Sequence, residues 1–292
     1  MNRERMARNA GFDAYYANIY GPRWKGLRES LLLPAVSVAY GDGLAVPYYL
    51  DRSSVLAACS LRLPEDAAEE GDAPGKAPLV LDACAAPGGK SLVIASRMGK
   101  NSGLLSNEIS AERRRRLGIV LDKHLFPETR SRVTVSGFDA AAAAGRQSER
   151  GRFAAVLLDA PCSSERHVIA EKTAMENWTA ARPRFLAGRQ WALLSASFLL
   201  LENGGSLVYV TCSLNPDEND GVASRLMSKY GGQTASAGQG DEGSPREACC
   251  VLDKPGFGEG EETEYGRIIL PDTSGGCGPL YTARFKKALI RR

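Results

Sequence analysis

The sequence lacks the segments that span a membrane or direct a protein for secretion. Its 292 residues contain no run of about 18 consecutive apolar residues, which argues against a spanning helix. The stretch 1–16 has basic residues but no apolar core, so it does not resemble a secretory signal, and its acidic residues argue against mitochondrial targeting without excluding it. Hydrophobic residues make up 43% and charged residues 24%, a balance that excludes a wholly disordered chain.

Metal-binding and disulfide patterns are also missing. The chain has two histidines and no CxxC pair, which argues against a zinc site. An odd number of cysteines without short spacing is not a disulfide framework. We therefore expect a reducing compartment, the cytoplasm or, as the alternative, the mitochondrion. The seven cysteines are Cys59, Cys84, Cys162, Cys212, Cys249, Cys250 and Cys277.

The charge of the chain is unevenly distributed. Residues 241–264 hold eight acidic and two basic side chains, a local net charge of −6. Since the whole chain carries +3 and this segment −6, the remaining residues carry +9. A basic body is compatible with a polyanionic partner such as a nucleic acid, but charge alone leaves a merely solvated surface equally open.

Short apolar runs alternate with helix-like segments through most of the chain. Five runs have the length and composition of buried strands: 79–83, 103–108, 132–136, 153–160 and 205–212. Four segments predict helices: 88–98, 111–125, 183–201 and 218–229. The alternation predicts an α/β fold with a mostly parallel, doubly wound sheet and helices on both faces. Two polar segments without apolar periodicity, 64–78 and 231–264, are predicted to be inserted loops.

A glycine-rich turn, CAAPGGK at 84–90, follows the first predicted strand and opens a helix. Two glycines and several small residues let the backbone approach a ligand, and the helix N-terminus offers free N–H groups. The turn does not match GxGxxG, and no glycine precedes Lys90 and Ser91 at the spacing of a phosphate-binding loop. By itself it is as compatible with a simple glycine turn as with a cofactor loop.

Two carboxylates follow the next two strands. Glu108 ends the second strand, roughly twenty residues beyond the glycines, where a carboxylate can accept both hydroxyls of a ribose. The alternative is a helix-capping acid, since Ser110 and Glu112 lie at the same boundary. Asp139 follows the third strand and can accept from an adenine amino group, although a lone Asp there is more often a turn residue.

The fourth and fifth strands end in DAPC and TCS, which bring two cysteines to one edge of the sheet. Pro161 stiffens the first of these turns. A thiolate can add to an electrophilic carbon without help from a metal. A single cysteine is more often a small buried residue. Cys162 and Cys212 at equivalent strand ends, with Asp159 beside them, instead favour a chemical role.

Four motifs in order resemble the Sun-domain family of RNA cytosine-5 methyltransferases: CAAPGGK, NEIS at 107–110, LLDAPCS at 157–163 and YVTCSLNPDEN at 209–219. The resemblance is dense over 79–220 and returns at 267–272 and 278–287, which are similar to the family's closing hairpin. The SSERH after Cys162 is more similar to the mitochondrial ribosomal RNA branch than to the common bacterial pattern. The resemblance implies a Rossmann-like methyltransferase fold with an antiparallel closing hairpin and a short N-terminal extension.

The resemblance also implies a cofactor and residue roles. S-adenosylmethionine would donate the methyl group, and Cys212 would add to carbon 6 of cytosine, which makes carbon 5 nucleophilic. Asp159 would hold the base and support protonation of its ring nitrogen 3, Lys90 would assist in positioning, and Cys162 would promote loss of the carbon-5 proton. The target base would have to leave its stack. The implied cofactor-binding residues are Cys84, Ala85, Ala86, Pro87, Gly88, Gly89, Lys90, Glu108, Arg113, Asp139 and Asp159.

The resemblance divides the chain into an N-terminal extension, 1–58, and a methyltransferase domain, 59–292. Glu108 stands where the family usually has Asp, which we expect to change the reach of the carboxylate but not its role. Residues 12–32 mix aromatic and basic side chains, and the sequence leaves open whether they form an RNA platform or an amphipathic helix docked on the core.

The expected function is methyl transfer to carbon 5 of a cytosine, in ribosomal RNA first and transfer RNA second. With no recognisable second RNA-binding domain, selection of the cytosine would depend on the fold of the RNA, on the extensions of this chain, or on a protein partner or ribosomal particle. No membrane partner is expected. The alternative is a non-catalytic, RNA-binding ribosome assembly factor that has kept the fold, although such a scaffold has no chemical need for all four proposed catalytic residues.

Overall fold

Helices and strands alternate along the described residues, 3–64, 77–232 and 246–291 of the computed structural model. The helices are α1 (Arg3–Tyr20), α2 (Trp24–Leu32), α3 (Arg52–Cys59), α4 (Gly89–Arg97), α5 (Ala111–His124), α6 (Pro127–Arg130), α7 (Ala140–Ala143), α8 (Glu165–Ala170), α9 (Lys172–Glu176), α10 (Arg182–Leu200) and α11 (Asp220–Tyr230). The strands are β1 (Ser37–Tyr40), β2 (Tyr48–Asp51), β3 (Leu79–Asp82), β4 (Gly103–Asn107), β5 (Val133–Ser136), β6 (Phe153–Asp159), β7 (Leu201–Thr211), β8 (Arg246–Leu252), β9 (Glu261–Glu262), β10 (Gly266–Ile269) and β11 (Leu280–Arg291). None of these helices is both long and apolar enough to cross a membrane.

The central sheet is mostly parallel and has the strand order β5-β4-β3-β6-β7-β11-β10-β9, with β8 paired to β11. Strands β3 to β7 pair in parallel, whereas β11 runs antiparallel to β7, β8 and β10. The chain moves outward from β3 to β5 and then returns to add β6 on the other side of β3. The predicted Rossmann-like fold is confirmed, and β10 and β11 form the predicted closing hairpin.

Helices cover both faces of the sheet, so the central strand β6 must be apolar on both of its faces. Phe153 to Leu158 are all buried. Val156 and Leu158 pack into the core cluster that contains α1 and α10, whereas Ala155 and Leu157 pack into the cluster that contains α4 and α5. A strand buried on both faces requires a continuous apolar run instead of alternation. This explains why the run at 153–160 predicts its strand so well.

The N-terminal extension forms part of the core. Phe12 and Tyr16 of α1 are fully buried, and their rings contact Trp24 and Trp178. Residues 12–32 are thus docked on the core, with Phe12, Tyr16 and Trp24 buried, and the RNA contact considered for this segment stays a prediction.

The boundary predicted between residues 58 and 59 does not mark a structural division, since it falls inside α3. This helix contacts α4 beside the glycine-rich turn, as well as β7 and β11 of the sheet. The extension and the methyltransferase domain thus share one helix. A boundary based on where the family motifs begin does not follow the packing of the chain.

The loop predicted over 231–264 is wrong in part. Residues 246–252 form β8, which pairs antiparallel with β11 and buries Cys249 and Cys250. The acidic and small residues around this strand are typical of a loop. The segment forms a strand because it pairs with β11, a distant part of the chain, and a local sequence pattern does not show that pairing. Residues 233–245 of this loop and 65–76 of the loop at 64–78 lie outside the described residues, so the loop assignment remains a prediction there.

We expect Phe12→Ala to lower the free energy of unfolding by about 3–5 kcal/mol, the usual cost of emptying a buried phenylalanine site. Urea unfolding measures the change. Phe185→Ala is the matched control, because Phe185 is 74% exposed, and it should shift stability by no more than about 0.5 kcal/mol. Equal effects of the two substitutions would contradict the docking of α1 in the core.

Candidate active site

The predicted site residues meet where the strand order reverses, between β3 and β6. Cys84 follows β3, Glu108 follows β4, Asp159 ends β6 and Cys212 follows β7. All four strands are parallel, so their carboxyl ends lie at the same edge of the sheet. Ligands of doubly wound sheets bind in the crevice at such a reversal. The structure therefore brings the sequence motifs together in one place.

The glycine-rich turn leads directly from β3 into α4. Gly88 has a φ of +122°, and a Cβ at this position would lie 3.0 Å from a methyl carbon of Val120 on α5. Glycine is thus required both by the backbone and by the packing against α5. No side chain caps the N-terminus of α4. The turn consequently presents backbone N–H groups and a positive helix end toward the crevice.

Asn107 ties three strand ends together and was not singled out by the sequence patterns. Its side-chain amide donates to the carbonyl oxygens of Ala83 and Phe138 at 3.1 and 3.0 Å. Its Oδ1 accepts from the Phe138 N–H at 3.0 Å. The side chain is 1% exposed, and it fixes the ends of β3 and β5 relative to β4. The sequence feature that could have identified Asn107 is its place as the first residue of the NEIS motif.

Glu108 lies buried beside the glycine-rich turn. Its Oε2 forms an ion pair with Arg113 at 3.1 Å, and Arg113 also donates to the carbonyl of Ala86 at 2.8 Å. The N-cap of α5 is Ser110, whose hydroxyl accepts from a backbone N–H, and Glu108 instead accepts from Ser110 N–H at 2.9 Å. The capping role considered for Glu108 thus belongs to Ser110, and Glu108 is free to face the crevice.

Asp139 serves the turn role considered for it, and its proposed contact with adenine stays a prediction. Its side chain accepts from the N–H of Ala141 at 3.0 Å and caps the short helix α7, which is the turn role. It also lines the same cavity as Glu108. That cavity has a volume of about 420 Å³, within the range of small-molecule sites. Its polar lining includes Cys84, Asn107, Glu108, Ser110, Arg113, Asp139 and Arg189.

A smaller cavity of about 100 Å³ lies between the glycine-rich turn and β2. Ala85, Ala86, Pro87, Gly89, Lys90 and Asp159 line it, whereas Gly88 packs toward α5. Asp82 lines it too, and its Oδ1 is buried without a hydrogen-bond partner among the described residues. Buried polar atoms are rarely left unpaired. An unpaired carboxylate oxygen suits a ligand that carries an ammonium group, as an amino-acid-derived cofactor does.

The thiol of Cys84 is a lining group and not a nucleophile. Burial raises its pKa to about 12, and the nearby carboxylates of Asp82, Asp159 and Glu108 add to this effect. A thiol reacts as its thiolate. Cys84 therefore stays protonated at neutral pH.

Lys90 and Asp159 form an ion pair with Nζ and Oδ2 2.7 Å apart. Burial by itself lowers the pKa of Lys90, but the charge and hydrogen bond of Asp159 outweigh it, so the net pKa is raised. Lys90 is thus held as a cation, with a carboxylate fixed against it. The pair lies between the glycine-rich turn and the cysteines and places one charge of each sign at the centre of the site.

Cys162 and Cys212 lie side by side as free thiols, with their sulfur atoms 2.7 Å apart. The backbone N–H of Cys212 points at the Cys162 sulfur at 3.2 Å. The hydrogen bond with Cys212 and burial raise the pKa of Cys162 well above its ordinary value. Cys162 is therefore held as a protonated thiol beside the sulfur of Cys212.

Ser164 contacts both sulfur atoms and was missed by the sequence patterns. Its hydroxyl lies 2.9 Å from the Cys212 sulfur and 3.5 Å from that of Cys162. With φ 54° it is the only non-glycine residue of positive φ in the described chain. Such strained residues cluster at functional sites. A third cavity, of about 350 Å³, opens here, lined in part by Cys212, Ser164 and His167.

Comparison with known proteins agrees with this geometry. Residues 72–240 match the family model of the 16S rRNA methyltransferase RsmB/F. The chain belongs to this family. The match spans the glycine-rich turn, both cysteines and the carboxylates of the crevice. It ends before β8 to β11, so the closing strands follow from the structure and not from the family model.

One curated relative in this family is the ribosomal RNA small subunit methyltransferase F of Klebsiella pneumoniae (strain 342). It is 40% identical over 151 residues, which are 52% of this chain and 30% of that protein. Others from Enterobacter and Erwinia align over 71% of this chain and 40% of their own length. The chain thus spans about 30% to 40% of the length of these relatives.

Two solved structures from Pyrococcus horikoshii share the fold. A methyltransferase homolog protein superposes with a TM-score of 0.66 and 18% identity, covering 99% of this chain and 100% of that one. NSun6, solved with SFG, gives a TM-score of 0.62 and 20% identity, covering 87% of this chain and 56% of that one. The likeness extends over the N-terminal helices as well as the sheet, consistent with their place in the core.

We expect Glu108→Ala to weaken S-adenosylmethionine binding by about 1–3 kcal/mol, since it removes a charged hydrogen-bond acceptor from the larger cavity. Calorimetry should show a Kd raised roughly 5- to 150-fold. Glu112→Ala is the matched control, because Glu112 is exposed in the first turn of the adjoining helix. An unchanged Kd for Glu108→Ala would remove this residue from the cofactor site.

Asp82 should make the stability of the protein depend on pH. Burial raises its pKa to about 7 from 3.8, against a hydrogen bond from Ser91 that lowers it. Between these values the folded state binds more protons than the unfolded state, so stability falls as pH rises from about 4 to about 7. Urea unfolding at pH 5 and pH 8 should show a smaller loss for Asp82→Asn than for the wild type. Asp42→Asn, at an exposed site, should behave as the wild type; an equal loss in all three proteins would contradict the assignment.

Proposed function

We propose that the chain transfers a methyl group from S-adenosylmethionine to carbon 5 of a cytosine in ribosomal RNA. The observation that carries the proposal is the pair of free thiols, Cys162 and Cys212, 2.7 Å apart beside the Lys90–Asp159 ion pair. Membership of the family and the names of the bacterial relatives support ribosomal RNA as the substrate. The structure of NSun6 with SFG, an S-adenosylmethionine analogue, supports the cofactor.

The two cavities beside the glycine-rich turn suit the two ends of the cofactor. Glu108 would accept from the ribose hydroxyls, Arg113 would hold Glu108 in place, and Asp139 would accept from the adenine amino group. At the other end, the unpaired oxygen of Asp82 would receive an ammonium group. S-adenosylmethionine, when bound, supplies a methyl group that is ready for nucleophilic attack.

Cys212 would act as the nucleophile of the reaction. Its thiolate adds to carbon 6 of the cytosine ring, and the displaced electron pair makes carbon 5 nucleophilic. Asp159 would hold the edge of the base and support protonation of ring nitrogen 3, with Lys90 fixing Asp159. Because Cys162 remains a thiol, it would not compete with Cys212 for the ring.

Release requires a second step, which we assign to Cys162. Once carbon 5 carries the methyl group, its proton must leave. The electron pair of that C–H bond forms the carbon 5–carbon 6 double bond, and the carbon–sulfur bond breaks with its pair returning to Cys212. Cys162, whose sulfur contacts that of Cys212, would relay the proton. Its thiol proton would pass to the departing sulfur of Cys212 while its own sulfur takes up the carbon-5 proton, so Cys162 is again a thiol when the product leaves.

The cavity of about 350 Å³ beside Cys212 is the proposed place of the target base. A cytosine can reach it only after leaving its stack. Transfer RNA is the second candidate substrate. The fold of the RNA, the extensions of this chain, or a protein partner or ribosomal particle would select the cytosine. The cytoplasm is the proposed compartment, with the mitochondrion as the alternative, and the resemblance to the mitochondrial branch remains a prediction.

We expect Cys162→Ala to accumulate a covalent protein–RNA complex, because the methylated adduct forms but cannot be resolved. The complex would appear as a slow band on a denaturing gel after incubation with ribosomal RNA and S-adenosylmethionine. Cys212→Ala and the double variant should give no band and no transfer of labelled methyl groups. Cys59→Ala, at an exposed cysteine, should behave as the wild type.

Normal turnover of Cys162→Ala without an adduct would remove Cys162 from the mechanism and leave it as a small residue packed behind Pro161. Absence of methyl transfer by the wild type, with RNA binding intact, would instead favour the non-catalytic assembly factor. The two outcomes are distinct, because the first requires an active enzyme and the second requires an inactive one.

A further inference from the structure

Two fully buried glutamates, Glu165 and Glu218, lie behind the pair of cysteines. Neither has a part in the reaction steps described above. Glu165 is the first residue of α8, directly after the loop of Cys162, and Glu218 follows Cys212 in the loop after β7. Ionised carboxylates are costly to bury unless their oxygens are well supplied with hydrogen bonds. Their partners show what they do.

The carboxylate of Glu218 reaches across to the loop of Cys162. Its Oε2 accepts from the backbone N–H of Ser163 at 3.0 Å, and its Oε1 accepts from the hydroxyl of the same residue. The side chain of Gln190 donates to Oε2 at 2.7 Å and to the carbonyl of Pro161 at 2.9 Å. The residues on both sides of Cys162 are thereby fixed to a carboxylate that comes from the other loop.

The carboxylate of Glu165 reaches across in the opposite direction. Its Oε2 accepts from the backbone N–H of Leu214 at 2.9 Å, and its Oε1 lies 3.2 Å from the hydroxyl of Ser213. The same hydroxyl lies 2.9 Å from Oε1 of Glu218. Each cysteine loop thus sends one glutamate to the loop of the other, and the hydroxyl of Ser213 joins the two carboxylates.

The hydroxyl of Ser213 also accepts from the N–H of Asn215 at 3.0 Å. A hydroxyl has one proton, so it donates to one of the two carboxylates and can accept from the other only if that one is protonated. Burial and the charge of Glu218 raise the pKa of Glu165 to about 7. A proton held on Glu165 completes the hydrogen bonding of the group and limits the repulsion between the two acids.

The N-terminal helix α1 completes this arrangement with three tyrosines. The hydroxyl of Tyr16 donates to Oε1 of Glu165. Tyr20 donates to the carbonyl of Leu214 at 2.7 Å, and Tyr15 accepts from the side chain of Asn215 at 2.8 Å. All three contacts fall on the loop that follows Cys212 or on its glutamate partner. The docked extension therefore supports the active-site loops directly.

We propose that Glu165 and Glu218 are positioning residues that hold the sulfur atoms of Cys162 and Cys212 together by exchanging hydrogen bonds between the two loops. The inference rests on the proposed function, since it explains how the two sulfur atoms stay close enough for the two reaction steps assigned to them. Reacting groups displaced by about 1 Å can lose roughly 100-fold in rate. A rigid link between the loops is thus a direct determinant of turnover.

The test uses Glu165→Gln and Glu218→Gln in the full chain. Each substitution keeps the shape of the side chain but replaces one oxygen with an NH₂ group. In Glu218→Gln this group cannot accept from Ser163 or Gln190 as the carboxylate does. In Glu165→Gln it can still donate to Ser213, as the protonated acid does, but the hydrogen bond from either Tyr16 or Leu214 is lost. Glu171→Gln is the matched control, because Glu171 is exposed in the same segment as Glu165. Tyr16→Phe is a milder variant that removes only one hydroxyl and keeps the proposal testable if a Gln variant fails to fold.

The first measurement is independent of methyl transfer. Phenylarsine oxide bonds to two neighbouring thiols, with two As–S bonds formed and the oxygen and both thiol protons leaving as water. Wild type and Glu171→Gln should bind it tightly. Cys162→Ala, which lacks one of the two thiols, gives the affinity expected when binding to the pair is lost. The Gln variants should bind at least about 10-fold more weakly, and Tyr16→Phe should shift in the same direction by less.

The second measurement separates kcat from KM. Methyl transfer to ribosomal RNA should lose at least about 10-fold in kcat in the Gln variants, in line with the cost of misplaced reacting groups. The KM for S-adenosylmethionine should be unchanged, because neither glutamate lines the cofactor cavities. A substitution that only loosens the whole fold would disturb both parameters.

Wild-type arsenical binding by folded Gln variants would overturn the proposal, even if their kcat falls. Weak binding together with normal kcat would overturn it as well, since the spacing would then not matter for turnover. If the arsenical results are as expected but the wild type transfers no methyl group, the link between the loops stands and the proposed function fails. Failure of the one is thus distinguishable from failure of the other.

Discussion

The parallel pairing of β6 with β7 is the constraint on which the site depends. Asp159, the last residue of β6, lies in register with Val210, and the N–H of Ala160 still donates to the Val210 carbonyl at 2.9 Å. The two strands therefore end at the same height. Cys162 and Cys212 follow within three and two residues of those positions, so the loops need to move each sulfur only a short way. Neither cysteine could meet the other if β6 and β7 were antiparallel or separated by another strand.

Electrostatics limits what such a site can contain. Four carboxyl groups lie near the carboxyl ends of the strands, and their negative charge is limited in two ways. They are those of Asp82, Asp159, Glu165 and Glu218. Asp159 is balanced by the cation of Lys90, whereas burial raises the pKa of the other three carboxyls. A protonated acid costs far less to bury than an isolated charge. The site can thus use several carboxyl groups for positioning without accumulating negative charge next to the two cysteines.

Much of this architecture follows from local sequence patterns. The parallel strands and their helices were predictable because apolar runs and turn residues are local properties. The location of the site was predictable as well, because the carboxyl ends of parallel strands lie at one edge of the sheet. The strand at 246–252 was not predictable from local patterns, because its pairing with β11 depends on residues some forty positions away. Nor were the left-handed Ser164, the bridging Asn107 or the burial of Phe12 and Tyr16, whose roles depend on contacts between distant segments. The motifs predicted which residues are proposed to react, and the packing decided which residues hold them.

The N-terminal helix α1 also shows that the contacts of a segment cannot be read from its composition alone. Its aromatic and basic composition suits RNA as well as a core, and only its position relative to the cysteine loops separates the two. In the fold, Tyr16 binds Glu165 and Tyr20 binds Leu214, so the helix is connected to the sulfur pair through two or three hydrogen bonds. Any movement of α1 must either break these bonds or move the loop of Cys212. The extension is therefore coupled through its packing to the loop that carries Cys212.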